Sequence, residues 1–212
     1  INMRRVTASC VLALLAFTTA VAAPAVAAER VEGPLREAGP DGTAFVGYVD
    51  SSTLPSRSFE RWPGVSARTL GEDTATGRLA LRAELPPGWR LDRPPVVAQS
   101  LEMVVLDGGL RFGEEVLARR DFAFVPPAAQ APALASPDGA SVLLFFDPPS
   151  PDAAAVARQR QRGPYVTRFD AARWQPASLA RSAGATIDLR VMHLKKDPFT
   201  TARTWYVRLG PG

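Results

Sequence analysis

The residue types most able to do chemistry in this chain are few. Glu102 stands inside an apolar run, Ser100-Leu101-Glu102-Met103-Val104-Val105, where a strand is expected rather than solvated surface. A carboxylate in such a place is costly unless it is paired, protonated or offered to a ligand. Two readings stay open. In the first, Glu102 contacts a small molecule, with Arg82, Gln99 and Gln130 as further polar ligand-binding groups. In the second it is an inward acid satisfied by Arg82 or Arg111. Arg82 and Glu84 share one strand face, and either line a polar cavity or form a solvated outer face. His193, the single histidine, lies in Val191-Met192-His193-Leu194 with no acid or cysteine beside it, which favours a structural role. One histidine excludes a His-rich metal centre and weakens any Ser-His-Asp scheme. No nucleophile elbow, P-loop or dinucleotide fingerprint is present. Trp62, Trp89, Trp174 and Trp205 either anchor cores or build a stacking surface, the first being the commoner use.

The remaining composition narrows the setting. The chain has 212 residues, of which 46% are hydrophobic and 22% charged, the balance of a globular protein. Met3-Arg4-Arg5 followed by an uncharged stretch to residue 28, with Ala25-Val26-Ala27 at its end, reads as a signal peptide cleaved after Ala27 or Ala28. Thr18, Thr19 and Pro24 interrupt the segment and disfavour a membrane anchor. Loss of Arg4 and Arg5 takes the formal charge of +4 to about +2, too little for a nucleic-acid footprint. Cys10, the only cysteine, falls in the same leader, so the mature chain has no disulfide, thiolate metal site or Cys nucleophile. A periplasmic or secreted protein is expected, with no membrane association after cleavage.

The elements that must position these groups are short strands. Residues 78–85 alternate, with Leu79, Leu81, Ala83 and Leu85 on one face and Arg82 and Glu84 on the other. Further strands are expected at 44–49, 100–106, 110–112, 115–118, 122–125 and 141–146, separated by Pro-Pro-Gly, Asp-Gly-Gly, Pro-Pro and Pro-Asp-Gly turns. Pro148, Pro149 and Pro151 stop the sheet, and Asp152 caps a short helix that runs to Arg162 and ends at Gly163-Pro164. Residues 29–64 read as an N-terminal extension, 65–148 as one barrel, 149–164 as a linker and 165–212 as the start of a second unit. Residues 70–88 align with 194–212 at a constant offset of 124: Leu70 with Leu194, Asp73 with Asp197, Thr76 with Thr200, Leu85 with Leu209, and Pro87-Gly88 with Pro211-Gly212. The repeat is expected to open a second barrel that the chain leaves incomplete. Its unpaired strand edges would favour a homodimer.

Pro87-Gly88, Glu102, Gly109 and Arg120-Asp121-Phe122-Ala123-Phe124-Val125-Pro126 together resemble the cupin superfamily. The likeness is to two-barrel cupins of a domain family of unknown function related to anti-sigma-factor (ChrR-like) cupins. It implies an all-β jelly-roll barrel followed by the opening strands of a second cupin-like repeat. It also implies a metal site of three histidines and a glutamate. Carried over by position, Glu102 matches the glutamate and Gly109 the closing glycine. The paired histidines fall on Val96 and Ala98, or on Pro95 and Val97, and the third falls near Gln130 or Ala131. The glycine before Asp121 is Arg120. With no imidazole at these positions, the resemblance implies a first barrel without metal or other cofactor. The expected function is an exported cupin-like module that binds a small molecule or packs against a partner barrel. The alternative is a fragment of a two-barrel metal-dependent cupin enzyme whose active site lies in a C-terminal part of the second barrel that this chain is expected to lack.

Overall fold

The structure is a computed structural model that describes residues 12–13, 50–176, 189–199 and 202–209. The rest of the expected signal peptide, residues 29–49 with the strand expected at 44–49, and the Thr200 and Pro211-Gly212 positions of the repeat lie outside the described residues. The chain divides into two compact units, one spanning Ala22–Phe169 and one formed by Ile1–Val21 with Asp170–Gly212.

In chain order the described strands are β1 (Leu12–Ala13), β2 (Arg57–Ser58), β3 (Ser66–Asp73), β4 (Arg78–Leu85), β5 (Trp89–Leu91), β6 (Ser100–Gly108), β7 (Leu110–Phe112), β8 (Glu115–Leu117), β9 (Phe122–Val125), β10 (Leu134–Ser136), β11 (Ala140–Asp147), β12 (Tyr165–Thr167), β13 (Gln175–Pro176), β14 (Leu189–Lys196) and β15 (Arg203–Leu209). The larger unit holds a seven-stranded sheet, β12-β9-β6-β11-β4-β3-β2, and a four-stranded sheet, β5-β10-β7-β8, both antiparallel. Their facing sides form one apolar core. Leu81, Met103, Val125, Leu144 and Phe146 from the large sheet meet Trp89, Phe112, Leu117 and Leu134 from the small one. The turn between Phe59 and Val65 adds Trp62, closed by Phe59 N–H to the Val65 carbonyl at 2.9 Å and Val65 N–H to the Trp62 carbonyl at 3.1 Å.

The alternation of 78–85 reappears as β4, with Leu81, Ala83 and Leu85 buried and Arg82 and Glu84 half-buried on the other face. Strand β6 continues past the expected end at residue 106 to Gly108. There φ is +71°, and an added Cβ would run into the Gly139 carbonyl oxygen, so the turn requires glycine. Strands β2, β5, β10 and β12 were not read from the sequence. Each has only two or three residues, too few to show a period.

The Pro-rich stretch expected as a linker contains helix α1 (Ala153–Arg162). Asp152 caps it, accepting from the N–H groups of Ala154 at 2.9 Å and Ala155 at 3.1 Å, and Gly163 ends it at φ +73°. The helix buries Ala155, Val156 and Gln159, and Arg160 Nε donates to the Pro127 carbonyl at 2.8 Å. Strand β12 then joins the large sheet against β9, and the compact unit continues to Phe169.

The smaller unit repeats the opening hairpin of the larger one. In β3–β4, Ala67 faces Ala83, Arg68 faces Arg82 and Thr69 faces Leu81. At the same offset of 124, β14–β15 pairs Val191 with Val207, Met192 with Tyr206 and His193 with Trp205. The register then slips by one residue in both, to Gly71–Ala80 in one and Lys195–Thr204 in the other. The turns use the same chemistry: Asp73 accepts from Ala75 N–H at 3.0 Å, and Asp197 from Phe199 N–H at 2.8 Å. The flanking strand matches too. Arg57 of β2 pairs with Ala67, and Gln175 of β13 pairs with Val191. Strand β1 pairs with the other edge of β15, Leu12 with Val207 and Ala13 with Tyr206.

Candidate functional site

The position of Glu102 follows from strand alternation. Leu101, Met103 and Val105 belong to the core between the sheets, so Glu102 and Val104 lie on the opposite face of β6. Glu102 is flanked there in register by Phe124 of β9 and Phe145 of β11, both also outside that core, and it has no exposed surface. The inward orientation expected of Glu102 is therefore corrected: the side chain faces away from the barrel interior.

Arg82 lies on the same outer face but serves another cluster. Its Nε donates to Glu84 at 3.0 Å and to Ser141 Oγ at 3.2 Å, and its Nη1 donates to Ser51 Oγ at 3.2 Å. Ser141 donates to Glu84 at 3.1 Å, and Arg68 approaches Glu84 at 4.0 Å. Of the two readings of Arg82 and Glu84, the outer face is the one observed. Arg111 is exposed on β7. Gln99 Nε2 donates to the Gly77 carbonyl at 3.2 Å, tying the segment before β6 to the β3–β4 turn. Gln130 Nε2 donates to the carbonyls of Pro94 at 2.8 Å and Ala131 at 3.1 Å. The four expected ligand-binding residues thus serve separate places. The Gln130 bond and Ala128 N–H to the Val97 carbonyl at 2.8 Å together join the loops 92–99 and 126–133 at one end of the barrel.

That end carries the positions at which the cupin resemblance would place metal ligands, and the residues there do not fit a metal. Pro95, Val96 and Ala98 are exposed, Val97 is half-buried against the core, and Ala131 is within it. None of these side chains carries a donor atom. Glu102 points to the other face. Among the described residues no group of three His, Cys, Asp or Glu side chains converges. A divalent cation needs several such donors at one point.

Two features lie outside the sequence expectations. Asp121, buried before β9, accepts from Ala118 N–H at 2.9 Å, Phe169 N–H at 2.8 Å and Arg168 Nη1 at 2.8 Å. Arg168 also reaches Glu115 and the Val116 carbonyl. Its guanidinium pKa is raised, chiefly by the bond to Asp121. Arg120, where the family motif has glycine, adopts φ +74°, and its guanidinium stacks 5.0 Å from the Phe169 ring. Arg61 is the second feature. Its guanidinium carbon lies 4.8 Å from the centroid of Phe146, an inward residue 1% exposed. Only its place in Phe59-Glu60-Arg61-Trp62, a cation between two core aromatics, marked it in the sequence.

Trp62 and Trp89 are core anchors, 2% and 7% exposed, with ring centroids 5.6 Å apart. Trp174 and Trp205 are half-buried. His193 packs edge-on against Trp205 at 5.8 Å. Desolvation, then the charges of Arg203, Lys196 and Arg173, hold its pKa below the ordinary imidazole value.

No protein-family profile matches the chain, and no curated protein sequence matches it. Among solved structures, a Pseudomonas aeruginosa protein assigned as glyoxylate-induced matches at a TM-score of 0.55 and 14% identity, over 74% of this chain and 60% of that one. A Nostoc punctiforme protein assigned as a dioxygenase matches at 0.46 and 14%, over 69% and 59%. An RmlC-like cupin from Shewanella frigidimarina matches at 0.41 and 18%, over 50% and 93%. The chain thus spans 60% and 59% of the length of the first two. At such identities a likeness concerns fold alone. In fold, the chain resembles the Pseudomonas protein: antiparallel β-sheets around one core, with a hairpin in the smaller unit that repeats the register of β3–β4.

Proposed function

We propose that this chain is a metal-independent, exported cupin-like module that binds a small organic molecule at the barrel end flanked by residues 92–99 and 126–133. The observation that carries this reading is the chemistry of that end. Val97, Ala129 and Ala131 pack on the apolar core where the resemblance places ligand positions, so the end offers apolar contact and, among the described residues, no group of three converging metal ligands. Binding without turnover is the function such a lining supports. Metal analysis of the purified native protein, followed by melting with and without a chelator, tests it. The expected result is metal well below one equivalent and an unchanged melting curve. Stoichiometric iron, zinc, manganese or nickel whose removal lowers the melting temperature would overturn it.

The repeated hairpin favours a second reading, in which metal chemistry belongs to a second barrel of a two-barrel enzyme. Reading the gene beyond the codon for Gly212 separates the two: an open frame with His-x-His, a following Glu and a later His is the expected result of the second reading, and a stop codon there would overturn it. Export is tested by the intact mass of the protein recovered from outside the cytoplasm, which should begin at residue 28 or 29.

A further inference from the structure

We propose that Arg61 is an anion-recognition residue at the barrel end and that the molecule bound there is a carboxylate with an apolar body. The proposal rests on the small-molecule reading above and gives it a chemical class. The guanidinium lies over the inward ring of Phe146, so it caps the core rather than projecting from the outer face. Its Nη1 atom is buried and has no hydrogen-bond partner among the described residues. Leaving a buried guanidinium donor unmet is unfavourable. The nearest acid along β11, Asp147, is approached by Arg78 Nε at 3.5 Å.

Arg61 is held in place before any ligand arrives. Its neighbours Phe59 and Trp62 are core residues, and Trp62 N–H donates to the Phe59 carbonyl at 2.9 Å. The pairing of Phe146 with Leu101, and of Leu101 with Val125, puts this cation at the end where β9 runs into the 126–133 loop. A cation held over a core ring, with one buried donor unmet among the described residues and apolar lining beside it, is complementary to a monocarboxylate whose remainder is hydrophobic.

The probes are benzoate and its neutral analogue benzyl alcohol, titrated into the full chain by calorimetry at low salt. Wild type should bind benzoate. Arg61→Gln should bind it about tenfold or more weakly, and Arg61→Lys should retain part of the affinity because the charge remains without the planar fork. Near-UV circular dichroism checks that the variants keep the aromatic core, and the lysine variant carries the test if the glutamine variant does not fold. Equal benzoate affinity in wild type and both variants would overturn the role of Arg61. Binding of benzyl alcohol as tightly as benzoate would also overturn it, while leaving small-molecule binding intact. Binding of neither probe would overturn both.

Discussion

Replacing Trp62 by alanine tests whether the barrel interior is a filled core. Trp62 is 2% exposed and wedged between Phe59, at 5.7 Å and 65°, and Trp89, at 5.6 Å and 33°. Truncating a buried tryptophan removes its transfer free energy and leaves a void, together about 3–5 kcal/mol. Each lost aromatic pair accounts for roughly 0.5–1.5 kcal/mol beyond area. The neighbours cannot close the gap cheaply, because Trp89 is fixed by its Nε1–H bond to the Pro63 carbonyl at 2.9 Å. A loss of about 4 kcal/mol is therefore expected, which in a domain of this size lowers the melting temperature by roughly 8–16 °C. Urea titration should show a lower midpoint at unchanged slope. The void would be apolar and enclosed, so added indole should occupy it and restore part of the loss. A destabilisation under about 1 kcal/mol, or no response to indole in a variant that has lost the expected stability, would refute the picture of a tightly filled interior.

Two further predictions concern charged groups. Asp121→Ala removes the acceptor for two backbone N–H groups and for Arg168, and should cost about 3 kcal/mol in urea titration. Arg168→Ala should cost only about 1 kcal/mol, because that side chain is 46% exposed and its ion pairs are screened. The reverse order of the two would sink the assignment of Asp121 as the centre of the clamp. His193 titrates below the ordinary value of 6.5 because burial and three neighbouring cations oppose its protonation. As pH falls below 6.5, the unfolded chain takes up the proton before the folded one does. The stability conferred by the neutral imidazole is thus complete above 6.5 and declines as pH falls toward the folded-state value. Since His193 is the only histidine, its imidazole signal in NMR gives that midpoint directly, and a midpoint at or above 6.5 would contradict the packing described.

The parts of the fold legible in the sequence are those where one local rule acts alone. Strand β4 has one buried face and one half-polar face, so its alternation survives in the residue types. The cap and stop of α1 are read from Asp152 and Gly163, because a helix terminus is decided within a few residues. The repeat shows through its turn, where Asp73 and Asp197 each bind an N–H two residues on, a local requirement that both copies keep. The register slip beside each turn left no such mark. It falls at Leu70 in one copy and Leu194 in the other, and neither residue is specific to irregular pairing.

The candidate site was less legible for a related reason. Strand β6 is covered on both faces, so Leu101, Met103 and Val105 alternate with Glu102 and Val104 without any change in burial, and Glu102 could be assigned to either side. Its direction is decided by its partners, Phe124 and Phe145, which sequence distance conceals. Gln99 and Gln130 read in the sequence as ligand-binding groups, because nothing local reveals the carbonyls of Gly77 and Pro94 to which their amides donate. For Arg61 the sequence offers only its place between Phe59 and Trp62, and its partner Phe146 comes from a distant strand. Glu102 lies on the face of β6 away from the core, and Pro95, Val96, Val97 and Ala98 carry no donor atoms, so these positions do not converge on one point. With the position of Glu102 now taken inside by core residues, restoring the histidines alone would leave a metal one carboxylate short.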